Sequence, residues 1–185
     1  MRKNIVIAIS GPPGSGKTTY ARKLAEDLGL SYHSAGSIFR EIAKEKGISL
    51  YELSKIAEKD PSIDLEIDRR TLEMSLNKNI VIEGHLVAWV LKDIADIKIY
   101  VTAPLLVRVK RIALRENRDI LEVLRETSYR ELSQEIRFYE YYGINIRDLS
   151  IFDLVIDTSR LSIDEAYSVI KHFVENTLSG RRKLN

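Results

Sequence analysis

The chain contains no cysteine among its 185 residues. Disulfide bridges, thiolate metal sites and cysteine nucleophiles are therefore excluded together. Long apolar runs are also missing, since none approaches the roughly 20 residues that a membrane-spanning helix needs. The first apolar segment has the pattern of a strand rather than that of a signal peptide. These absences predict a cytoplasmic protein without a membrane partner.

Neither positive nor negative charge is in large excess, because the formal net charge is only +2. Arginine and lysine are concentrated between Arg108 and Arg137, but glutamate and aspartate are interleaved with them. A continuous basic face would favour nucleic acid, and this mixture does not, so we expect no nucleic-acid partner. The 44% hydrophobic and 30% charged content is typical of a soluble globular chain. The length suits a single domain over residues 1–185, expected as a monomer.

The most informative segment is residues 11–18, which read Gly-Pro-Pro-Gly-Ser-Gly-Lys-Thr and match the phosphate-loop pattern G-x-x-x-x-G-K-S/T. An apolar run precedes it, and a helical pattern that stops at Gly29 follows it. We expect Lys17 to bridge the β- and γ-phosphates of ATP and Thr18 to offer its hydroxyl to Mg²⁺. The residues predicted to bind ATP are Gly11, Pro12, Pro13, Gly14, Ser15, Gly16, Lys17, Thr18 and Thr19.

Short runs rich in isoleucine and valine alternate with helical patterns along the chain. The runs lie at 5–9, 80–82, 97–101 and 151–156, with a weaker candidate at 30–33. Buried β-branched runs that alternate with helices predict an α/β fold with a parallel sheet covered on both faces.

Two of the connections are longer than one crossover helix requires. We predict that residues 34–78 form a helical acceptor-binding lobe and that residues 103–145 form a lid region. The remaining core is predicted to comprise residues 1–33, 79–102 and 146–179. The basic end, residues 179–185, is predicted to be a frayed, solvated tail.

Several polar residues are candidates for a site beside the phosphate loop. Glu83 ends an apolar run, which predicts a carboxylate in the ligand crevice that could hold Mg²⁺ through water; the alternative is a solvated turn. Ser34 has the pattern of a helix N-cap. Arg40, on the second turn after it, could grip a phosphate, or could be an ordinary exposed arginine.

Three polar residues share one predicted helical face, Arg130, Gln134 and Arg137. Arg111 and Arg115 form a second pair at i and i+4. Such arginines could stabilise the charge of a transferring phosphoryl group, although taken alone each set equally fits a surface helix laced with salt bridges. No His/Asp/Glu group has metal-ligand spacing, so a structural zinc site is not expected.

Together these motifs resemble the archaeal-type cytidylate kinases, a group of the nucleoside monophosphate kinases. The resemblance covers about residues 4–160. Beyond the phosphate loop it depends on Ser-Ala-Gly-Ser-Ile-Phe-Arg at 34–40, Ala-Glu-Lys-Asp-Pro-Ser-Ile-Asp at 57–64, Ile-Asp-Arg-Arg at 67–70, Glu-Gly-His-Leu at 83–86, Arg130-Glu131 with Ser133 and Arg137, Tyr-Gly-Ile at 142–144, and the segment 148–158.

The resemblance implies a P-loop nucleoside monophosphate kinase fold with a five-stranded parallel sheet, an acceptor lobe and a lid. It implies transfer of the γ-phosphoryl group of ATP to CMP and dCMP, with Mg²⁺. The catalytic residues it implies beside Lys17 are Arg111, Arg115, Arg130 and Arg137. The acceptor-binding residues it implies are Ser34, Gly36, Arg40, Asp68, Arg69, Arg70, Gly84, His85 and Gln134.

Two positions depart from the pattern of that family. His85 stands where arginine is usual, and Gln134 stands where glutamate is common. Both changes affect the acceptor side, so a kinase for AMP or UMP stays an alternative. A nucleotide-dependent switch is a more distant one, because the chain lacks the Asn-Lys-x-Asp base reader of GTPases.

Overall fold

The structure, a computed structural model, describes residues 4–181. Over this range the strands are β1 (Val6–Ser10), β2 (Ser31–Ser34), β3 (Ile80–Gly84), β4 (Ile97–Thr102) and β5 (Leu154–Asp157). The helices over the same range are α1 (Lys17–Leu28), α2 (Ala35–Glu45), α3 (Leu50–Ala57), α4 (Ser62–Leu76), α5 (Val87–Val90), α6 (Leu105–Glu116), α7 (Ile120–Tyr142) and α8 (Ile163–Arg181).

All five strands of the described range form one parallel sheet in the order β2-β3-β1-β4-β5. The α/β fold predicted from the alternation of apolar runs and helical patterns is therefore confirmed. Register places Glu83 beside both Ile9 of β1 and Ser34 of β2. The carboxyl ends of these three neighbouring strands thus meet at one edge of the sheet, which is where ligands bind in open α/β folds.

Helices cover both faces of the sheet. On one face α1 and α8 bury residues such as Leu24 and Ile170 against β1 and β4. On the other face Val87 and Leu91 pack against Val6 and Ile82. Strands β1 and β3 are buried on both sides, which explains why the sequence of β1 is a continuous apolar run without alternation.

The last strand is shorter than the apolar run that predicted it. The run at 151–156 enters the sheet only at Leu154. Ile151 and Phe152 pack outside it, and the Phe152 ring lies 5.0 Å from the ring of Trp89, centroid to centroid. The apolar character of a residue does not by itself distinguish pairing in the sheet from packing beside it.

The two long connections fold as helices with small cores of their own. In the segment 34–78, α2, α3 and α4 bury Phe39, Leu53 and Ile63 together. In the segment 103–145, α6 and α7 bury Val109 against Val123. The helices lie where the acceptor lobe and the lid were predicted; the functional division into lobes stays a prediction.

The carboxyl end differs from the expected frayed tail. Helix α8 continues to Arg181, so the start of the predicted tail at Ser179 is helical, although it is exposed. Residues 182–185 lie outside the described residues, as do residues 1–3 of the predicted core. None of the helices within residues 4–181 combines the length and the apolar character that crossing a membrane requires.

Candidate functional site

The phosphate loop joins β1 to the first turn of α1. Gly14 and Gly16 have φ angles of +76° and +95°, a region that favours glycine. A Cβ on Gly11 would lie 2.1 Å from the carbonyl oxygen of Val101, and one on Gly14 would lie 2.7 Å from that of Arg108. The first turn of α1 carries no side-chain cap and no acidic residue. Its free N–H groups and its dipole are therefore available to an anion.

We expect Gly11→Ala to destabilise the protein by about 3 kcal/mol, since the added methyl overlaps a backbone carbonyl in the sheet that cannot move aside. A matched control is Gly47→Ala. Gly47 has φ +66° but open space around its Cβ, so only the backbone conformation, about 1 kcal/mol, is affected. Urea unfolding of both variants measures the difference. Equal losses would mean that the close approach at Gly11 does not constrain the loop.

Lys17 is half-buried at the start of α1, with its Nζ donating to the carbonyl oxygen of Pro12 at 3.3 Å. Burial lowers the pKa of Lys17 to about 8; Glu83 opposes this, while Arg130 and Arg40 add to it. The ammonium is thus short of negative partners in the protein alone. A bound polyphosphate would supply them, which is the condition expected of a phosphate-binding lysine.

Glu83 is buried at the end of β3, not on a solvated turn. One of its oxygens, Oε1, accepts hydrogen bonds from three hydroxyls: Thr18 at 3.0 Å, Tyr32 at 3.2 Å and Ser34 at 2.5 Å. The strand-terminal carboxylate and the hydroxyl of the phosphate loop are therefore adjacent. The expectation for Ser34 is corrected in one respect, because it occupies the N-cap position of α2 but its hydroxyl bonds Glu83 instead of capping the helix.

A cavity of about 480 Å³ opens between the phosphate loop, the helices α2 and α4, and the helices α6 and α7. The cavity wall includes most of the residues predicted from the sequence, namely Pro13, Gly14, Gly16, Lys17, Thr18, Thr19, Gly36, Arg40, Asp68, Glu83, Gly84, His85, Arg111, Arg115, Arg130 and Gln134. The predicted residues that do not line it are Gly11, Pro12, Ser15, Ser34, Arg69, Arg70 and Arg137.

Two arginines of the wall are free to meet an anion. Arg40 makes no hydrogen bond or ion pair with any residue between 4 and 181. Arg130 is half-buried, its buried Nε has no hydrogen-bond partner among the described residues, and its guanidinium lies 5.5 Å from the centroid of the Phe39 ring. Arg111 has a different position, since it donates to the carbonyl oxygen of Thr158 at 2.9 Å and braces the base of the site. Arg115 pairs with Glu116 at the surface.

The two departures from the family pattern form one contact. His85 Nδ1 and Gln134 Oε1 lie 2.8 Å apart, joining the end of β3 to α7. Burial is the main reason that the pKa of His85 is lowered to about 3, with Lys17, Arg130 and Arg108 acting in the same direction. The ring is therefore neutral at physiological pH, and Nδ1–H donates to the amide oxygen. A neutral pair occupies a place where charged side chains were expected.

Three predicted arginines do not line the cavity. Arg137 is buried behind the cavity wall, where its Nε donates to Asp64 at 2.8 Å and joins α7 to α4. Arg69 and Arg70 pair with Glu66 on the outer surface of α4. Successive helical residues are rotated by about 100°, so these two point away from the face that presents Asp68 to the cavity.

Arg108 is a functional candidate that the sequence reasoning did not single out. It is buried and donates to the carbonyl oxygens of Pro13 at 3.0 Å and Ala103 at 2.7 Å. It also pairs with Glu131 of α7. Arg108 thus joins the phosphate loop to the predicted lid. The one sequence signal for Arg108 was its spacing of three residues from Arg111, which places both on one helical face. Arg108 was not singled out because charged residues of both signs surround it in the sequence.

The fold has relatives among solved structures. A shikimate kinase from Acinetobacter baumannii, solved with shikimate, covers 94% of this chain and 95% of its own at 22% identity, with a TM-score of 0.54. An uncharacterised protein from Eubacterium ventriosum covers 92% of this chain and 98% of its own at 20% identity, with a TM-score of 0.68. The parallel sheet, the phosphate loop and the facing cavity define a P-loop kinase fold of the nucleoside monophosphate kinase type.

The family model for the cytidylate kinase-like family matches residues 6–160, and the chain belongs to that family. A protein named cytidylate kinase from Staphylothermus marinus is 59% identical over 174 residues, which are 94% of this chain and 98% of that relative. A second protein of that name, from Aeropyrum pernix, is 56% identical over 162 residues, 88% of this chain and 94% of its own length. The resemblance stated from the sequence motifs is thereby confirmed.

Proposed function

We propose that the protein transfers the γ-phosphoryl group of ATP to CMP, giving ADP and CDP. The observation that carries this proposal is the single cavity wall shared by the phosphate loop and the segment 34–78, for which an acceptor lobe is predicted. Lys17 and Glu83 lie at the donor side, and Arg40 and Asp68 come from the helices facing it. Membership of the cytidylate kinase-like family supports the choice of CMP.

The residues of the chain act mainly by positioning and by charge. The amides of the phosphate loop and the first turn of α1 would hold the triphosphate, and Lys17 would bridge its β- and γ-phosphates. Arg40 and Arg130 would hold the acceptor phosphate in line with the γ-phosphorus and neutralise charge as it moves. No general base is required, because the acceptor phosphate is already an anionic nucleophile.

The residues beside the loop fit a magnesium ion. Mg²⁺ commonly takes one or two protein oxygens and completes its shell with water and phosphates. Thr18 and Glu83 offer such oxygens 3.0 Å apart, with Glu83 acting through water. Among residues 4–181 no cluster of three or more histidine, aspartate or glutamate side chains could hold a metal by itself, which agrees with an ion shared with the nucleotide. When bound, the ion would neutralise charge on the β- and γ-phosphates.

The proposal extends to dCMP as a second acceptor, to a monomeric protein, and to a cytoplasmic location without a nucleic-acid partner. The neutral pair of His85 and Gln134 keeps AMP and UMP as alternative acceptors, since it alters the wall that meets the acceptor.

An acceptor panel tests the proposal directly. With ATP and Mg²⁺ in a coupled assay of ADP release, we expect kcat/KM for CMP to exceed that for AMP and UMP by about 10-fold or more, since the base edges differ in hydrogen-bond pattern. Reactions without an acceptor measure background hydrolysis. A preference for AMP or UMP would overturn the choice of CMP. Hydrolysis that requires a macromolecule and no small acceptor would indicate a nucleotide switch.

A further inference from the structure

Asp68 is a carboxylate of the cavity wall that has no cationic partner among the described residues. It lies on α4, and its Oδ2 is fully buried without a hydrogen bond. Tyr142 lies beside it, near enough to affect its pKa, but the hydroxyl forms no well-aligned bond. Asp64, one helical turn earlier, is paired with Arg137. Within this acidic pair only Asp68 is left unneutralised.

An unpaired carboxylate in this place is costly to the empty protein. Burial raises the pKa of Asp68 to about 6, and the charge of Asp64 adds to the effect, while Tyr142 opposes it. Asp68 is still ionised at neutral pH, at the expense of stability. Polar groups kept unsatisfied in a ligand cavity commonly serve the ligand.

Charges within the cavity are distributed unevenly. Lys17, Arg40 and Arg130 lie near enough to one another for both arginines to lower the pKa of Lys17. The groups that shift the pKa of Asp68 are Tyr142 and Asp64, with no cation among them. The phosphate of an acceptor nucleotide belongs with the cations. The part of the acceptor that reaches Asp68 is therefore the nucleoside.

Apolar side chains of the same segment share the cavity wall with Asp68, and such a wall suits a flat ring better than a sugar. Phe39, Leu50 and Ile67 line the cavity and pack together in the small core of the acceptor lobe. An ionised carboxylate can only accept hydrogen bonds. Cytosine presents an amino group at position 4 of its ring, whereas uracil presents a carbonyl oxygen there. The carboxylate therefore matches cytosine and repels uracil.

We propose that Asp68 is a specificity-determining residue that accepts a hydrogen bond from the 4-amino group of the acceptor cytosine and thereby excludes uracil. This inference rests on the proposed function and assigns the discrimination between cytosine and uracil to the Asp68 side chain. It predicts that base selectivity depends on the charge at position 68 and that selectivity for the sugar does not.

The test is Asp68→Asn, with CMP and UMP competing in one reaction. The carboxamide can donate to the uracil oxygen, so the CMP-to-UMP ratio of kcat/KM should fall by about 10- to 100-fold. The CMP-to-dCMP ratio should stay unchanged. Because both acceptors share one enzyme sample, the ratio is independent of the fraction that is folded. Glu73→Gln, on the exposed surface of the same helix, is the matched control and should leave both ratios unchanged.

A substrate analogue provides a second, independent measurement. The CMP analogue that carries hydrogen in place of the 4-amino group should react with the wild-type protein about 10-fold less efficiently than CMP, and Asp68→Asn should reduce that difference. If the variant does not turn over, competitive binding of the same nucleotides gives the same comparison. Folding is not expected to fail, since above pH 6 the substitution removes a carboxylate whose raised pKa makes its ionised form destabilising.

The outcomes separate this inference from the proposed function. An unchanged CMP-to-UMP ratio overturns the role of Asp68 while leaving a cytidylate kinase in place. A changed CMP-to-dCMP ratio assigns Asp68 to the ribose and likewise overturns it. A wild-type protein that phosphorylates AMP or UMP but not CMP overturns the proposed function and this inference together.

Discussion

Lys17→Met is expected to lower kcat by about 10³-fold or more, since in the proposed function Lys17 is the cation that meets the phosphates where charge develops in transfer. Methionine keeps an unbranched side chain as far as Cε and lacks the ammonium beyond it. The fold should be retained, because Lys17 forms a single 3.3 Å bond to Pro12 and its burial disfavours the charged form. A coupled assay with ATP, Mg²⁺ and CMP measures the loss, and thermal unfolding checks the fold.

Lys23→Met is the matched control for this prediction. Lys23 lies on the same helix, but it is exposed and pairs with Asp164 at the surface. Its replacement should change kcat less than about 2-fold, as is usual for an exposed ion pair. Calorimetry of ATP binding would separate a loss of binding from a loss of transfer. Near-wild-type activity of Lys17→Met would mean that the loop does not hold the triphosphate.

The phosphate loop and the sheet were predictable because their requirements are local. One continuous segment contains all of these features: a buried strand, the glycines Gly14 and Gly16 with positive φ after it, and then a helix. Each of the four stronger apolar runs contributes a strand to the sheet, since β-branched runs of that length have few other ways to be buried. The largest misplacement was at the start of β5, where Ile151 and Phe152 pack in a cluster with Trp89 and Tyr100 instead of pairing in the strand.

The side chains of the site were less predictable. Helical spacing shows which residues share a face of a helix, but it does not show which neighbour that face contacts. Arg130 and Gln134 line the cavity, while Arg137 on the same helix turns toward Asp64. Contacts distant in sequence, such as that between His85 and Gln134, exist only once α7 lies against the end of β3. A sequence that shows both residues cannot show that they form a pair.

Arg137→Met is expected to destabilise the protein by about 3–5 kcal/mol, the usual cost of removing one partner of a buried ion pair. The guanidinium donates to Asp64 and to Ser133 Oγ, each at 2.8 Å, and its loss leaves the Asp64 carboxylate buried and unpaired. Urea unfolding measures the change. Arg69→Met is the control, because Arg69 is an exposed arginine paired with Glu66, and its loss should cost less than about 1 kcal/mol.

The effect of Arg137→Met should also depend on pH, and the direction follows from Asp64. Burial raises the pKa of Asp64, and Arg137 opposes this; without Arg137 the pKa rises further. Protonation then removes the unpaired charge as the pH falls, so the variant should lose less stability at pH 5 than at pH 8. Adding Asp64→Leu should recover most of the loss, because an apolar pair often replaces a buried ion pair at little cost. A loss of kcat without a loss of stability would instead return Arg137 to the transfer step, where the sequence had placed it.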